Sequence, residues 1–422
     1  MSLRLFSEDT FIESKAKVFF PSKAITSPEN LVGRVAQLDK IKRAFSNDGK
    51  QVFIYGERGV GKTSLAKTAA FLYQSCDNEP ILVACSPDSK FSDIMRDIVR
   101  GCLPDNEAMR KVTNSEHRNL GVKGLSHQAV KTIEQGDVPE ITNVNEAIKL
   151  LKFAGQLHSD KPVVIVDEFD RIGDNQERGK FADFLKQISD QELEIRFIFC
   201  GISKDIDGLI GEHFSAGRYI SPVELGPLPP DALWQIFERA EEVFGVTIDK
   251  EIKIRAGIIA DGYPYFMHLI GDSLLWNMFQ ERCDIATAPV FDNSIGQAVD
   301  EAEPMLKQHY DNATQKYESV DYREVLWSVA APKVFPKKWK EIYDEYYKKM
   351  VSRTESGPKL SPDNYYKRLL NLTKPSHGEI LHTNENGWYQ FRENVVRSYV
   401  RLRAAEAGVD LGPDLPGPLS LD

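Results

Sequence analysis

The chain has 422 residues, 41% of them hydrophobic and 27% charged, and a formal net charge of −10 at pH 7. That length exceeds one ordinary core and predicts two or three domains of globular composition. The acidic balance excludes a surface that coats nucleic acid everywhere, although one basic segment stays compatible with it. A run of about 18 apolar residues, as a membrane span requires, is lacking, so no membrane partner is expected. Met1 to Phe11 has neither an apolar stretch nor a small-residue cleavage site; no secretory signal and a cytoplasmic location are expected. The five scattered cysteines, Cys76, Cys85, Cys102, Cys200 and Cys283, have no metal-ligand spacing and read as reduced thiols.

Residues 1–30 carry Pro21 and Pro28 and read as a lead-in segment. Leu31-Val32-Gly33-Arg34 then opens a helix over Val35 to Phe45, with Val35, Leu38, Ile41 and Phe45 on one face. Asn47-Asp48-Gly49 ends it. Gln51–Tyr55 is a buried strand, and it runs into Gly56-Glu57-Arg58-Gly59-Val60-Gly61-Lys62-Thr63-Ser64. This stretch fits G-x-x-x-x-G-K-[ST], the loop whose backbone N–H groups cradle phosphate. Lys62 brings a charge to the β- and γ-phosphates, and Thr63 a hydroxyl to Mg²⁺. The helix predicted from Ser64 to Leu72 turns its positive N-terminal end toward them. Strand, loop and helix in that order set this match apart from a chance Gly-rich turn. Pro80–Cys85 is a further strand. Residues 90–160 read as mostly helical, with a polar insert over 114–136 that defaults to a surface excursion.

Lys161 to Asp170 forms the second strong signal: the apolar run Val163–Val166 followed by Asp167 and Glu168, about a hundred residues after the loop. There Asp167 would hold Mg²⁺ and Glu168 would orient the attacking water. Glu194 to Ser203 is the next strand, and Ser203 falls near the expected γ-phosphate. Alternating strands and helices predict an α/β fold with a parallel sheet and ligand at the carboxyl ends of its strands. Arg218, in the loop beyond, has two readings: a group that reaches a neighbouring subunit's γ-phosphate, or a surface cation in an ordinary ion pair.

Pro227-Leu228-Pro229-Pro230 marks a boundary. Beyond it Asp231–Glu242, Ile252–Ala260 and Phe266–Phe279 are helical, in a small all-helical domain of about four helices. From Glu318 the composition shifts: residues 318–405 hold 16 Lys+Arg against 11 Asp+Glu. The pattern there is helix (Tyr322–Ala330), helix (Lys337–Met350), helix (Pro362–Leu372), a hairpin from Ile380 to Phe391 turning at Asn386-Gly387, and helix (Glu393–Ala405). Such an order predicts a winged helix. Its third helix carries Lys367 and Arg368 beside Tyr365 and Tyr366, candidates for DNA contact in the major groove. Packing or oligomerisation is the competing use. Gly408 to Asp422 is rich in Gly, Pro and Asp and is expected to be disordered. The expected boundaries are thus a lead-in at 1–30, the α/β core at 31–227, the helical domain at 228–315, the winged helix at 316–405 and the tail at 406–422.

With these pieces in place, the chain resembles the AAA+ P-loop ATPases of the origin-recognition and STAND-like group. The resemblance rests on Leu31–Arg34, Gly56–Ser64, Val163–Asp170, Phe199–Ser203, Ser215–Arg218, Gly262-Tyr263-Pro264 and the winged-helix ending. It implies ATP and ADP as ligands, Mg²⁺ as cofactor, and assembly into a homo-oligomer. It makes Val32, Gly33 and Arg34 candidates for contact with the base, and Tyr263 and Pro264 candidates in a lid turn that approaches the nucleotide. It favours Arg218 as a finger acting in trans. Two departures stand out: the first sensor has to be Ser203, and Tyr265 occupies the position of the second-sensor Arg, with His268 one turn on as the nearest cation. Slow turnover, suited to a molecular switch, or nucleotide held without hydrolysis follows. Output to DNA and recruitment of a separate protein effector, as in a signalling or phage-defence scaffold, are the two alternatives.

Overall fold

A computed structural model of the chain describes residues 3–47, 49–74, 79–103, 132–133, 137–158, 161–190, 193, 195–202, 216–315, 321–353, 360–384 and 386–412. These fall into two compact units, Ala24–Glu57 with Gly61–Gly226, and Met1–Lys23 with Arg58–Val60 and Pro227–Asp422. Ser203, Ser215, the end of the chain from residue 413 and nearly all of the 114–136 insert lie outside the described residues.

The first unit is built on a five-stranded parallel sheet, in the order β2-β3-β4-β1-β5. In chain order its elements are α1 (Val35–Phe45), β1 (Gln51–Tyr55), α2 (Lys62–Tyr73), β2 (Ile81–Ala84), α3 (Phe91–Cys102), α4 (Val144–His158), β3 (Val163–Asp167), α5 (Asn175–Asp190), β4 (Arg196–Gly201) and β5 (Ile220–Glu224). The apolar runs of β1, β3 and β4 are buried along nearly their whole length, as strands of a covered parallel sheet must be. β4 lies between β1 and β3, with Phe53 opposite Phe199 and Val166 also opposite Phe199. The loop after β1 and the acids after β3 therefore flank the carboxyl end of β4. Phe169, just past those acids, packs edge-on against Phe53, Phe181 and Phe199 at 5.0–6.2 Å and anchors the turn they stand on. β5 has no clear strand signal because Pro222 interrupts it. An edge strand tolerates that proline, and among the described residues β5 pairs only with β1.

In the second unit, the helix Glu8–Lys15 sets Phe11 in a stack with Phe279, ring centres 4.0 Å apart; sequence had left it inside a lead-in. The remaining elements are α6 (Pro230–Phe244), β6 (Thr247–Ile248), α7 (Lys250–Ala260), α8 (Pro264–Gln280), β7 (Ile285–Ala286), α9 (Ala288–Glu301), α10 (Pro304–Thr314) and α11 (Asp321–Ala330). They continue with β8 (Lys337–Lys338), α12 (Trp339–Glu341 running through a π-helical Ile342–Tyr347 into Lys348–Arg353), α13 (Pro362–Asn371), β9 (Leu381–Thr383), β10 (Trp388–Phe391) and α14 (Asn394–Glu406). Thr247 pairs with Ile285 and Ile248 with Ala286, so the part expected to be purely helical carries a short parallel strand pair. Ser361 caps α13 through its hydroxyl, which accepts the Asn364 N–H, and Pro362 follows at the first helical position. The hairpin is joined by β8, giving a three-stranded antiparallel sheet in the order β8-β10-β9.

A part-buried carboxylate ties α7 to α14, and one of its arginines reaches α11. Asp261 ends α7 in a left-handed conformation, φ 53°. Its carboxylate accepts from Arg397 and, at 3.0 Å, from Arg401. Arg401 also donates to the carbonyls of Ile258, Ala330 and Pro332 at 2.7–3.0 Å. Burial lowers the pKa of its guanidinium to about 10, against which Asp261 acts. Among the described residues no helix is long and apolar enough to cross a membrane.

Candidate nucleotide site

The site grows out of the carboxyl end of β1. Gly56, Gly59 and Gly61 all take positive φ, 159°, 83° and 96°. At Gly61, the N-cap of α2, the value of 96° is left-handed, and nothing lies within 4 Å of where its Cβ would stand. The backbone is thus curled with open space above it, the cradle a phosphate requires. Lys62 turns back over the loop: its ammonium donates to the carbonyls of Gly56 at 3.0 Å and Glu57 at 2.8 Å. The Thr63 hydroxyl donates to Asp167 Oδ2 at 2.7 Å, linking α2 to the end of β3. Asp167 is held in turn by the Glu168 N–H on Oδ1 at 2.9 Å, while its own carbonyl accepts the Cys85 N–H at 2.8 Å.

Glu168 stands in a left-handed conformation, φ 53°, with its carboxylate exposed and accepting from Arg171 Nη1 at 2.6 Å. Asp170 caps the neighbouring strand by accepting the Ile202 N–H at 2.8 Å. These two roles were not read from the sequence. An acid two or three positions past a strand carries no signature until the adjacent strand is known. Burial, with Asp167, Asp170 and Glu168 close by, raises the pKa of Cys85 to about 12; burial raises that of Cys200 as well, so both thiols stay protonated. Cys85, Cys102, Cys200 and Cys283 are all free.

The other expected site residues spread more widely. The Ser64 hydroxyl accepts the N–H of Ile25, and the next turn of α2 reaches the same residue when Thr68 donates to the Ile25 carbonyl, both at 3.2 Å. The lead-in is therefore strapped to the phosphate-loop helix. Val32 is half-buried, Gly33 is exposed with φ 66°, and Arg34 is buried, donating to the Gly226 carbonyl at 2.8 Å with its pKa lowered to about 10 by burial. Arg218 is exposed in a short turn, Ala216–Tyr219, that leads into β5. Ser203 is outside the described residues.

In the other unit Arg58–Val60, the tip of the loop, groups with Tyr263: a Cβ on Gly59 would lie 3.3 Å from the Tyr263 ring. Gly262 has φ 89°, and a Cβ there would strike Pro227 at 2.5 Å, so the turn before Pro264 admits only glycine. The Tyr265 hydroxyl accepts the Glu303 N–H at 2.9 Å, and burial raises its pKa to about 12. His268 corrects an expectation. It is buried edge-on to Phe19 and Phe20, its pKa falls to about 4 through desolvation, and it is a neutral ring, not a cation. Of the C-terminal candidates, Arg368 is paired with Asp321 at 2.5 Å and Tyr365 is fully buried on Ser328, while Tyr366 and Lys367 are exposed.

Residues 30–194 match the family model of the AAA ATPase domain. Among solved structures, the Walker-type ATPase PABY2304 of Pyrococcus abyssi is similar at 15% identity and a TM-score of 0.53, over 90% of this chain and 99% of that one. The ORC2 protein of Aeropyrum pernix aligns at 14% identity and a TM-score of 0.46, over 92% and 98%. The ORC1 protein of the same organism, solved with DNA, aligns at 15% and 0.42, over 90% and 95%. Among curated proteins none matches. A glycine cradle, a lysine over it and a threonine–aspartate pair at the ends of a parallel sheet thus coincide with a segment similar to the AAA ATPase domain.

Proposed function

We propose that the chain is an ATP-dependent molecular switch of the AAA+ type, which binds ATP with Mg²⁺, hydrolyses it slowly and assembles with further copies of itself. Residues 31–227 serve as its ATPase core, 228–315 as its lid and 316–405 as a winged helix that passes the nucleotide state on to nucleic acid. The observation that carries this reading is the 2.7 Å bond between Thr63 and Asp167 beside the open Gly61 cradle. The pair offers a hydroxyl and a carboxylate, and Mg²⁺ is ordinarily held by one or two protein oxygens plus phosphate and water. When bound, the metal supplies charge neutralisation to the β- and γ-phosphates.

The protein's own groups do the rest. Backbone N–H groups of Gly59 to Thr63 orient the phosphates. Lys62 exchanges the Gly56 and Glu57 carbonyls for phosphate oxygens, a stronger charge-assisted partner. Glu168 accepts the hydrogen bond of the attacking water, for which it must leave Arg171. That ion pair is exposed on both sides, so solvent screening leaves it weak. Arg218, exposed ahead of β5, is the candidate for a neighbouring copy's γ-phosphate.

The test is ATP turnover of the parent and of Glu168→Gln, each with light scattering with and without ATP. Loss of turnover in the variant together with a trapped, larger assembly is the expected result. A parent that neither turns over ATP nor changes mass would overturn the switch and leave a nucleotide-binding scaffold that recruits a protein effector.

A further inference from the structure

On the sheet β8-β10-β9, side chains alternate between core and surface. Tyr389 and Phe391 of β10 are buried, and Trp388 and Gln390 point the other way. Lys338 is the cross-strand neighbour of Trp388, its ammonium 5.6 Å from the indole centre. Next along the chain, Trp339 lies by the hairpin turn, 4.0 Å from where a Cβ on Gly387 would be, and stacks at a tilt on Tyr366 of α13 with ring centres 5.0 Å apart. Lys340 sits 5.7 Å over the Trp339 ring. The Tyr366 hydroxyl is tied to that of the buried Tyr389, which fixes the ring while 37% of the residue stays exposed. Lys367 is exposed beside it. Of the nearby acids, Glu341 is drawn to Lys337 at 3.9 Å and Asp344 to Lys348 at 2.6 Å.

Trp339 and Tyr366 therefore form a partly exposed pair of rings with Lys340 and Lys367 beside it, while Trp388 and Lys338 lie on the other face of the sheet from Tyr389. Duplex DNA is read in the major groove by helix side chains aimed at base edges. On α13 Arg368 is held by Asp321 and Tyr365 is in the core, so of the helix's two cations Lys367 is the exposed one. Unpaired bases need ring faces to stack on and cations along the backbone, and this surface supplies both.

We infer that Trp339 and Tyr366, with Lys340 and Lys367, form a stacking surface for single-stranded nucleic acid. It rests on the reading that the C-terminal segment contacts nucleic acid and names the form that is bound. A base displaces Lys340 from the Trp339 ring face, and the lysine moves to phosphate.

The experiment is fluorescence anisotropy of the full chain, with and without ATP and Mg²⁺. The probes are a labelled oligothymidylate of about 20 nucleotides, longer than one site of this class, and a duplex of the same length. The single strand is expected to bind more tightly and to quench tryptophan emission. Tyr366→Ala should weaken it about tenfold, within the range for one stacked base, and Tyr366→Phe should restore it. Lys340→Gln with Lys367→Gln should flatten the slope of log affinity against log salt by about 1.4. These exposed lysines give a variant whose folding does not depend on the change. Duplex preferred, and indifferent to Tyr366→Ala, would overturn the stacking surface and leave the nucleic-acid reading standing. No binding of either probe would overturn both.

Discussion

The nucleotide site and the C-terminal helical unit are organised by opposite means. Around Lys62 the chemistry is nearly contiguous: β1, the glycine loop and the first turn of α2 follow one another, and a single distant partner, Asp167, completes the set. Most of its polar groups stay partly exposed. In the C-terminal unit the decisive carboxylate is part-buried, and its partners are buried and remote. Asp261 binds Arg397 from 136 residues away and Arg401 from 140. A site that must exchange ligands keeps its charges accessible. A joint that must hold places them out of water, where removing one partner strands the others.

The sharpest way to break this comparison is Asp261→Ala. Two arginines with 6–10% side-chain exposure would be left facing no carboxylate, at a cost of about 3–5 kcal/mol. Denaturant unfolding should show the loss, and a change under about 1 kcal/mol would mean that the joint lies elsewhere. Glu168→Gln comes next. It should lower ATP turnover by about 10²–10⁴, the usual worth of one general base, with stability unchanged because its side chain is exposed. Equal turnover in parent and variant would remove Glu168 from the mechanism.

The third concerns pH. His268 titrates at about 4 folded, against 6.5 for the free side chain. Between those values the unfolded chain binds the extra proton, so stability is complete above pH 6.5 and is lost as pH falls toward 4. The difference amounts to about 3 kcal/mol. His268→Leu should flatten this part of the stability–pH curve, measured by urea unfolding across the range. An unaltered curve would assign the acid sensitivity to other groups. The smallest effect belongs to Arg171→Ala. It frees Glu168 from an exposed ion pair and should alter turnover by no more than about fivefold. A larger change would make Arg171 a participant in its own right.

Much of the candidate nucleotide site was legible because its residues lie in order along the chain. Gly56–Ser64 between an apolar strand and a helix, and an apolar strand ending in Asp167 and Glu168, carry their chemistry in spacing alone. The engagement of Glu168 with Arg171 and of Asp170 with Ile202 was not legible, since both depend on how the turn after β3 folds beside β4. His268 and Tyr265 show a similar limit. Periodicity placed His268 on a helix and left Tyr265 just before it, but only their neighbours, Phe19 and Phe20 for one and the Glu303 N–H for the other, decided that neither is a free polar group.

By itself the sequence determined the strand–loop–helix unit, the acidic strand end, most helix spans and the shift to a basic segment, because local dihedral preference, periodicity and contiguous motifs need no distant partner. The tertiary structure decided the rest: that Ile220–Glu224 becomes an edge strand despite Pro222, and that Lys337–Lys338 joins the hairpin. It also decided that Tyr365 turns inward while Tyr366 meets Trp339, and that Asp261 meets two arginines of the last helix. Each of these depends on contacts across long separations in the chain. Burial and pairing energies there outweigh the local preferences that a sequence displays.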